Sequence, residues 1–393
     1  MKEDIYNEVK DNNEEIIRKE NKTIPWIEKW EIDRRCSVAL KAKRIIFSSI
    51  LGGIVGDVLG LPFEFLKRDI FRIRDMVGYG THNKPIGTYS DDTSLTMCLV
   101  ETIIENGANI NDNSQEELLK KFMKYLDYGY WTPFNSCFDI GNTTRKAIEN
   151  YRRGMAPNKC GGNLEEDNGN GALMRISPLV PLLYVLDPTR ENDNSNFKYV
   201  KYKINIIKKF CEVTHSHPRS ILACIIYIEF LLELCQNTKP IKELLNQKPV
   251  NKKDKIIAYK KMRKSIKNFL NYPEILGNLN FKNEAKYFDR ILKKKIYKYN
   301  RNDIYSTGYV VHSLEASIWS FINYDSYREI VLNAINLGED TDTIGFICGS
   351  MAGILYDIPK NWILQIKDIE KIQEKFEEFK DCIEEIKYNN NIF

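Results

Sequence analysis

Two short stretches near opposite ends of the chain pair acids with hydroxyls: Ser90-Asp91-Asp92-Thr93 and Asp340-Thr341-Asp342-Thr343. Each precedes apolar residues at three- and four-residue steps, Leu95, Cys98, Leu99 and Ile103 in one case and Ile344, Ile347, Cys348, Met351 and Ile354 in the other. That rhythm predicts two helices that open on acids. At a helix N-terminus carboxylates satisfy orphan amides or hold a cation. A cap needs only one acid, and a good one contributes about 0.5–2 kcal/mol. Four acids exceed that need. Ser90, Asp91, Asp92, Asp340, Asp342 and Thr343 are all hard oxygen donors, with no His or Cys between them. A site built from them favours Mg²⁺ or Mn²⁺ over Zn²⁺. Four carboxylates could neutralise two such ions about 3.5–4 Å apart.

Three further stretches carry polar groups of chemical use. Phe138-Asp139-Ile140-Gly141 leads into a predicted helix. Asn168-Gly169-Asn170-Gly171 reads as a glycine-rich loop entering a short helix before Pro178; it is either a phosphate cradle or a plain turn. Thr214-His215-Ser216-His217-Pro218 opens a strongly apolar helix, where the His pair is structural or bonds a phosphate or ribose. Tyr309, after Thr307-Gly308, is a buried aromatic or a platform for a base.

For the two acidic stretches to meet, something must join the ends of the chain. Gly52, Gly56 and Gly60 lie four apart on one helical stripe, and Gly345, Gly349 and Gly353 repeat the pattern. A helix-interior glycine costs about 1 kcal/mol relative to alanine, so six at this spacing point to close backbone approach. The two helices are expected side by side in the core. Alternating strand patterns are scarce, and the fold expected is all-α and mostly one domain, because the acidic stretches fall at both ends and would need to meet. Residues 1–40 form a polar extension, with Ile24-Pro25-Trp26-Ile27 and Trp30 expected to pack on the body. The Lys-rich stretch 237–303 reads as peripheral or inserted helices, and the simplest account of its charge is a solvated face. A closing amphipathic helix presents Ile369, Ile372, Phe376, Phe379, Ile383 and Ile386. It lacks sustained heptads, so it is expected on the core, and the chain as a monomer.

Composition excludes little else. A net charge of +4 over 393 residues argues for no nucleic-acid or membrane partner. Nine scattered cysteines without a Cys-x-x-Cys pair suit free thiols in a reducing, cytoplasmic setting. No signal-peptide core or membrane-length apolar run is present.

Taken in order, these stretches resemble the ADP-ribosylglycohydrolase family. Gly52-Gly53-Ile54-Val55-Gly56-Asp57, with Pro62 and Glu64, is similar to its opening helix and turn. Ser90-Asp91-Asp92-Thr93 resembles its first metal motif, usually Thr-Asp-Asp-Thr, and Gly169-Asn170-Gly171-Ala172 with Met174-Arg175 its diphosphate loop. Thr214-His215-Ser216-His217 resembles its His stretch. Gly308-Tyr309, Leu314-Glu315-Ala316 and Gly338 through Thr343 resemble its C-terminal signature. The resemblance implies a compact multi-helix orthogonal bundle with a dinuclear metal cleft, a single catalytic domain over 41–390, and two Mg²⁺ or Mn²⁺ ions held by Ser90, Asp91, Asp92, Asp340, Asp342 and Thr343. It implies Asp92, Glu64 and Asp139 as proton-handling residues, and Asn168, Gly169, Asn170, Gly171, His217 and Tyr309 as contacts to ADP-ribose. Asp139 in its setting looks most like the dinitrogenase-reductase-activating branch, which removes ADP-ribose from arginine. Ser90 departs from the family's Thr but keeps a hydroxyl. His312 stands where an Asp is common, which changes the adenosine end of the pocket. The activity implied is hydrolysis at C1″ of ADP-ribose on a protein side chain or a small molecule. The alternatives are a catalytically silent ADP-ribose binder, a crystallin-like structural relative, or a hydrolase of serine-linked or O-acetyl-ADP-ribose.

Overall fold

The computed structural model describes residues 39–187, 197–237, 250–272 and 280–388. The N-terminal extension, with its expected packing through Trp26 and Trp30, lies outside the described residues, as does part of the Lys-rich stretch. The main elements are α1 (Ala39–Gly60), α2 (Asp91–Asn106), α3 (Asp112–Tyr128), α4 (Asn142–Arg152), α5 (Leu179–Val185), α6 (Phe197–Glu212) and α7 (Pro218–Asn237). They continue as α8 (Lys252–Phe269), α9 (Val310–Asn323), α10 (Tyr327–Ile335), α11 (Thr341–Leu355), α12 (Lys360–Gln365) and α13 (Ile369–Tyr388). The described residues form no sheet, only isolated bridges. The all-α expectation holds.

α1 and α11 form the axis of the bundle. A β-carbon placed on Gly52, Gly56 or Gly60 would overlap the backbone of Gly349, Gly345 or Thr341 respectively. The matched positions run in opposite directions, so the helices are antiparallel and touch backbone to backbone. Glycine at Gly56 is therefore a packing requirement, and its entropic cost is offset by the contact. α11 is buried from Thr341 to Ile354, as expected of a helix apolar on every side. Tyr327 donates to Gly52 O at 2.5 Å and Tyr227 to Ile347 O at 3.3 Å, fastening neighbouring helices to this pair. At its end Thr341 Oγ1 donates to Gly60 O at 2.8 Å. The close packing thus sets the last turn of α1 beside the first turn of α11.

Other elements close around that axis. α13 buries the six apolar residues anticipated for it and lies against α2, α5 and α1. α8 packs on α7, where Phe230 meets both Tyr259 and Phe321 edge-on at 6.1 and 5.6 Å. The Lys-rich stretch therefore has its own buried face. No described helix is long and apolar enough to cross a membrane, and every described cysteine is a free thiol.

Candidate active site

At the start of α2, Ser90 is the N-cap, its Oγ accepting from Asp92 N at 3.1 Å. Most of the capping is done from another helix. Asp57, fully buried in α1, accepts from Ser90 N at 3.0 Å, Thr93 N at 3.2 Å and Thr93 Oγ1 at 2.5 Å. Asp91 and Asp92 are left with little capping work. Asp92 Oδ2 accepts from Ser90 Oγ at 3.2 Å and, across the site, from Thr343 Oγ1 at 3.1 Å. That last bond joins the two acidic stretches directly.

At the start of α11, Asp340 holds the N-cap position but its side chain makes no capping bond. The turn before it needs left-handed backbone at Gly338 (φ 80°) and Glu339 (φ 64°). A β-carbon on Gly338 would strike the Arg68 amide at 2.5 Å. Glu339 is solvated, and its backbone pairs with Phe65 and Leu66 at 2.6 and 2.7 Å. Asp340 Oδ2 turns to the Asn170 side-chain amide at 2.6 Å, which also donates to Ser313 Oγ at 2.8 Å. Asp342 Oδ1 accepts from Thr343 N at 2.9 Å.

Glu64 stands on the short turn that leaves α1, beside Phe65 in left-handed backbone (φ 65°). A non-glycine residue there is strained, and such strain is held only by its surroundings. Here Arg68 is the clamp, donating to Leu337 O at 2.9 Å and Arg301 O at 2.7 Å. Carboxylate oxygens of Glu64, Asp340 and Asp342 lie within 4.8 Å of one another. On its other side Glu64 Oε2 meets His82 Nε2 at 2.5 Å, and Glu64, His82 and Asp139 also fall within 4.8 Å. Glu64 therefore belongs to both groups.

The glycine-rich loop flanks this cluster. Residues 171–175 form turns rather than the expected helix, with one helical bond from Met174 N to Asn170 O at 3.0 Å, and the loop is held against α9 at Asn170. Its amide donates to Gly308 O at 3.1 Å, and Asn168 O accepts from Val310 N at 3.0 Å. The Asn170 amide and side chain are thus engaged within the protein, as is Asn168 Oδ1, which accepts from Ser220 Oγ at 3.0 Å. Gly169 stays open: the nearest atom to a β-carbon there would be His215 Nε2 at 3.5 Å. Tyr309 bridges to Gly169 and its hydroxyl accepts from Arg219 at 3.0 Å. His217 accepts from Arg219 N at 3.1 Å. Burial lowers buried His215 to about 3, so it is neutral; its Nδ1 meets Thr214 Oγ1 at 2.9 Å.

The acids share an unusual electrostatic position. Burial pushes Asp91, Asp92 and Asp342 well above the usual carboxylate range, and neighbouring carboxylates push the same way. Burial, then Asp139 and Asp340, raise Glu64 to about 10. Asp57 rises only to about 6, because its donors offset part of the burial. Among the described residues His82 alone stands within ion-pair distance of the cluster as a possible cation. Gathering buried carboxylates without cationic partners is costly, so the cluster must be neutralised by protons or by bound cations. One oxygen, Asp92 Oδ1, is buried with no hydrogen-bond partner. An all-oxygen donor set with an orphaned carboxylate oxygen fits Mg²⁺ or Mn²⁺.

Every acid singled out from the sequence lies in this cluster. Asn168, His217 and Tyr309 lie on the flank, linked to it through the Asn170–Asp340 bond. Sequence reasoning missed Asp57, His82, Arg68 and Arg219. Only Asp57 carried a local signal, its place beside Gly56 in the glycine stripe.

The sequence profile of the ADP-ribosylglycohydrolase family matches residues 40–390. The ADP-ribosylarginine hydrolase Tri1 of Serratia proteamaculans is 29% identical over 329 residues, 82% of this chain and 75% of that protein. The ADP-ribosyl-[dinitrogen reductase] glycohydrolase of Rhodospirillum rubrum is 23% identical over 332 residues, 81% of this chain and 88% of that one. A solved ADP-ribosylglycohydrolase-related protein complex superposes with a TM-score of 0.61 at 22% identity, covering 87% of this chain and 99% of its own. At that identity the superposition speaks for the fold.

Proposed function

The chain belongs to the ADP-ribosylglycohydrolase family, and from that premise we propose that it removes ADP-ribose from arginine side chains of proteins by a Mg²⁺- or Mn²⁺-dependent hydrolysis at C1″. The observation that carries this reading is the meeting of Asp91 and Asp92 with Asp340, Asp342 and Glu64 in one buried cluster that has no lysine or arginine partner among the described residues. The arginine linkage is favoured by the relative named for ADP-ribosylarginine.

Asp91, Asp92, Asp340 and Asp342, with Ser90 and Thr343, would hold two divalent cations. Bound there, such ions supply positive charge that orients ribose hydroxyls and lowers the pKa of water. The protein's own groups do the rest. Asn170 fixes the Asp340 carboxylate through its 2.6 Å bond, so that oxygen cannot swing into the substrate's space. Glu64, protonated in the unliganded cluster and held by His82, and Asp139 on its far side are placed to give or take the proton as charge develops at C1″. Asp92 is the third candidate for proton transfer, through its unpartnered Oδ1. The backbone at Gly169, where a β-carbon would meet nothing closer than 3.5 Å, allows close approach of the diphosphate, and Gly171 beside it packs against His215 and Thr144. Asn168, Asn170, His217 and Tyr309 border the same face, and Tyr309 offers its ring to the base. Remote binding of this kind positions C1″ for reaction. A cytoplasmic setting is consistent with the free thiols of the described cysteines.

The test is release of ADP-ribose from arginine-linked, serine-linked and O-acetyl substrates, side by side, with and without Mg²⁺ or Mn²⁺. Metal-dependent release of intact ADP-ribose from arginine is expected. Release from serine alone would overturn the linkage, release of AMP would overturn the bond assigned, and metal binding without any turnover would favour a silent relative.

A further inference from the structure

The Lys-rich stretch takes no part in the chemistry above, yet it builds a groove. α8 starts at a capping box, Asn251 with Asp254, and buries Ala258, Tyr259, Met262, Ile266 and Phe269. Lys260, Lys264 and Lys267, four and three residues apart, are left as an exposed row. Opposite them stand Lys282, Lys286 and Lys293, on a segment anchored by buried Phe281 and Phe288. The two rows enclose a groove of about 770 Å³ whose floor includes Ile266, Leu270 and Leu292. Its walls are fastened together: Arg263 donates to Leu292 O at 2.6 Å, and the Tyr259 hydroxyl donates to Ile291 O.

Most of the charge in this groove has no counterpart among the described residues. Six lysines and Arg263 line it, more positive charge than the net +4 of the whole chain. No carboxylate is among its described lining residues. Lys293 has Asp289 at 2.8 Å, whereas Lys260, Lys264, Lys267 and Lys282 have no ion-pair partner among the described residues. Aligned like charges repel, and an acidic occupant would relieve that repulsion. The floor decides which kind of acid. It is aliphatic, with no aromatic ring among the described lining residues on which a base could stack. An apolar floor between cationic rims suits an amphipathic helix laid apolar side down, with its acids toward the lysines.

The groove also adjoins the candidate active site. Arg219 stacks on Tyr287 at 3.4 Å, bonds Glu284 at 2.8 Å and donates to Tyr309 at 3.0 Å. The segment forming one wall of the groove is thereby tied to the rim of the cleft. We infer that the groove between α8 and residues 281–293 docks an acidic, amphipathic segment of the modified protein, beside the cleft that receives the ADP-ribosyl group. Its role in catalysis rests on the hydrolase reading above, but its binding chemistry does not.

Two measurements on the full chain test this. In the first, a labelled peptide alternating Glu-Glu with Leu-Leu, a polyglutamate of equal length and a single-stranded oligonucleotide are titrated by fluorescence anisotropy at low and physiological salt. The variant K260E/K264E/K267E/K282E, all exposed positions, is titrated in parallel, with circular dichroism to confirm its fold. The amphipathic peptide is expected to bind best, weaken with salt, and bind the variant at least ~10-fold less tightly. Equal or tighter binding of the oligonucleotide, or unchanged peptide binding by the variant, would overturn the proposal. In the second, the variant should raise KM for an ADP-ribosylated protein carrying an acidic helix and leave KM for ADP-ribosylated free arginine unchanged. If no substrate is turned over at all, the hydrolase reading fails while the anisotropy result still decides the groove.

Discussion

The two helix starts that carry the acids look alike in sequence and solve their capping differently. At α2 the orphan amides are met by Ser90 and by Asp57, an acid sent from α1. At α11 the N-cap residue declines the work: Asp340 makes no capping bond and gives its carboxylate to Asn170. The outcome is the same. Asp91 and Asp92 make no bond to the first amides of α2, and at α11 a single oxygen of Asp342 meets such an amide, Thr343 N at 2.9 Å, so most of the carboxylate oxygens are left for other work. Capping and cation binding compete for the same oxygens, and this protein separates them by supplying the caps from elsewhere or forgoing them.

That comparison can be broken at either end. The largest effect is expected from Asp342→Ala, which should lower turnover by at least ~10³-fold and abolish Mn²⁺ binding together, with near-wild-type helicity by circular dichroism. Full activity in this variant would remove α11 from the site. Next comes Asp57→Asn, which loses the charge that three donors address. It should cost about 2–4 kcal/mol in denaturant unfolding, whereas Ser90→Ala should cost only about 1 kcal/mol. Equal costs would mean that capping at α2 is local after all.

The smallest effect concerns pH. Glu64, Asp91, Asp92 and Asp342 have folded-state pKa values raised above their unfolded ones. The native state therefore binds more protons than the unfolded chain, and stability falls as pH rises through the raised values. His215 is shifted down, to about 3; it adds stability as pH rises toward its ordinary value and nothing further above it. Between neutral pH and about 10, the Glu64 value, the carboxylates thus lower stability as pH rises, and the thiols of Cys98, Cys211 and Cys348, also pushed up by burial, add to the loss at its alkaline end. Metal-free protein should lose a few °C of Tm across that window, about 1–2 °C for each kcal/mol at this chain length, and Mg²⁺ or Mn²⁺ should restore more at the alkaline end. A Tm that rises over the same range would contradict the assignment.

Much of the framework was legible because it repeats. The glycines at 52, 56 and 60 and at 345, 349 and 353 keep one helical face small, and only close packing justifies that pattern. The apolar rhythm of 369–386 foretold the buried face of α13. The short helix expected after Gly171 is replaced by turns that keep one helical bond, Met174 N to Asn170 O at 3.0 Å, while the Asn170 amide is held by Gly308 of a distant segment. A window of sequence contains no such long-range partner.

By itself the sequence determined which oxygens are gathered, since runs of Asp, Ser and Thr before apolar periodicity define both the helix and its polar end. It determined as well that α1 and α11 approach closely. Only the tertiary structure decided what each oxygen is free to do. Asp57 reads as one polar residue inside a helix until α2 is placed against it. His82 is a lone residue at the end of a short 3₁₀ turn, Gly80–His82, until that turn folds back onto Glu64. Arg68 gains its clamping role only when residues 301 and 337 are brought to it. Hydrogen bonds across such separations are set by the packing of whole helices, and no local periodicity encodes them.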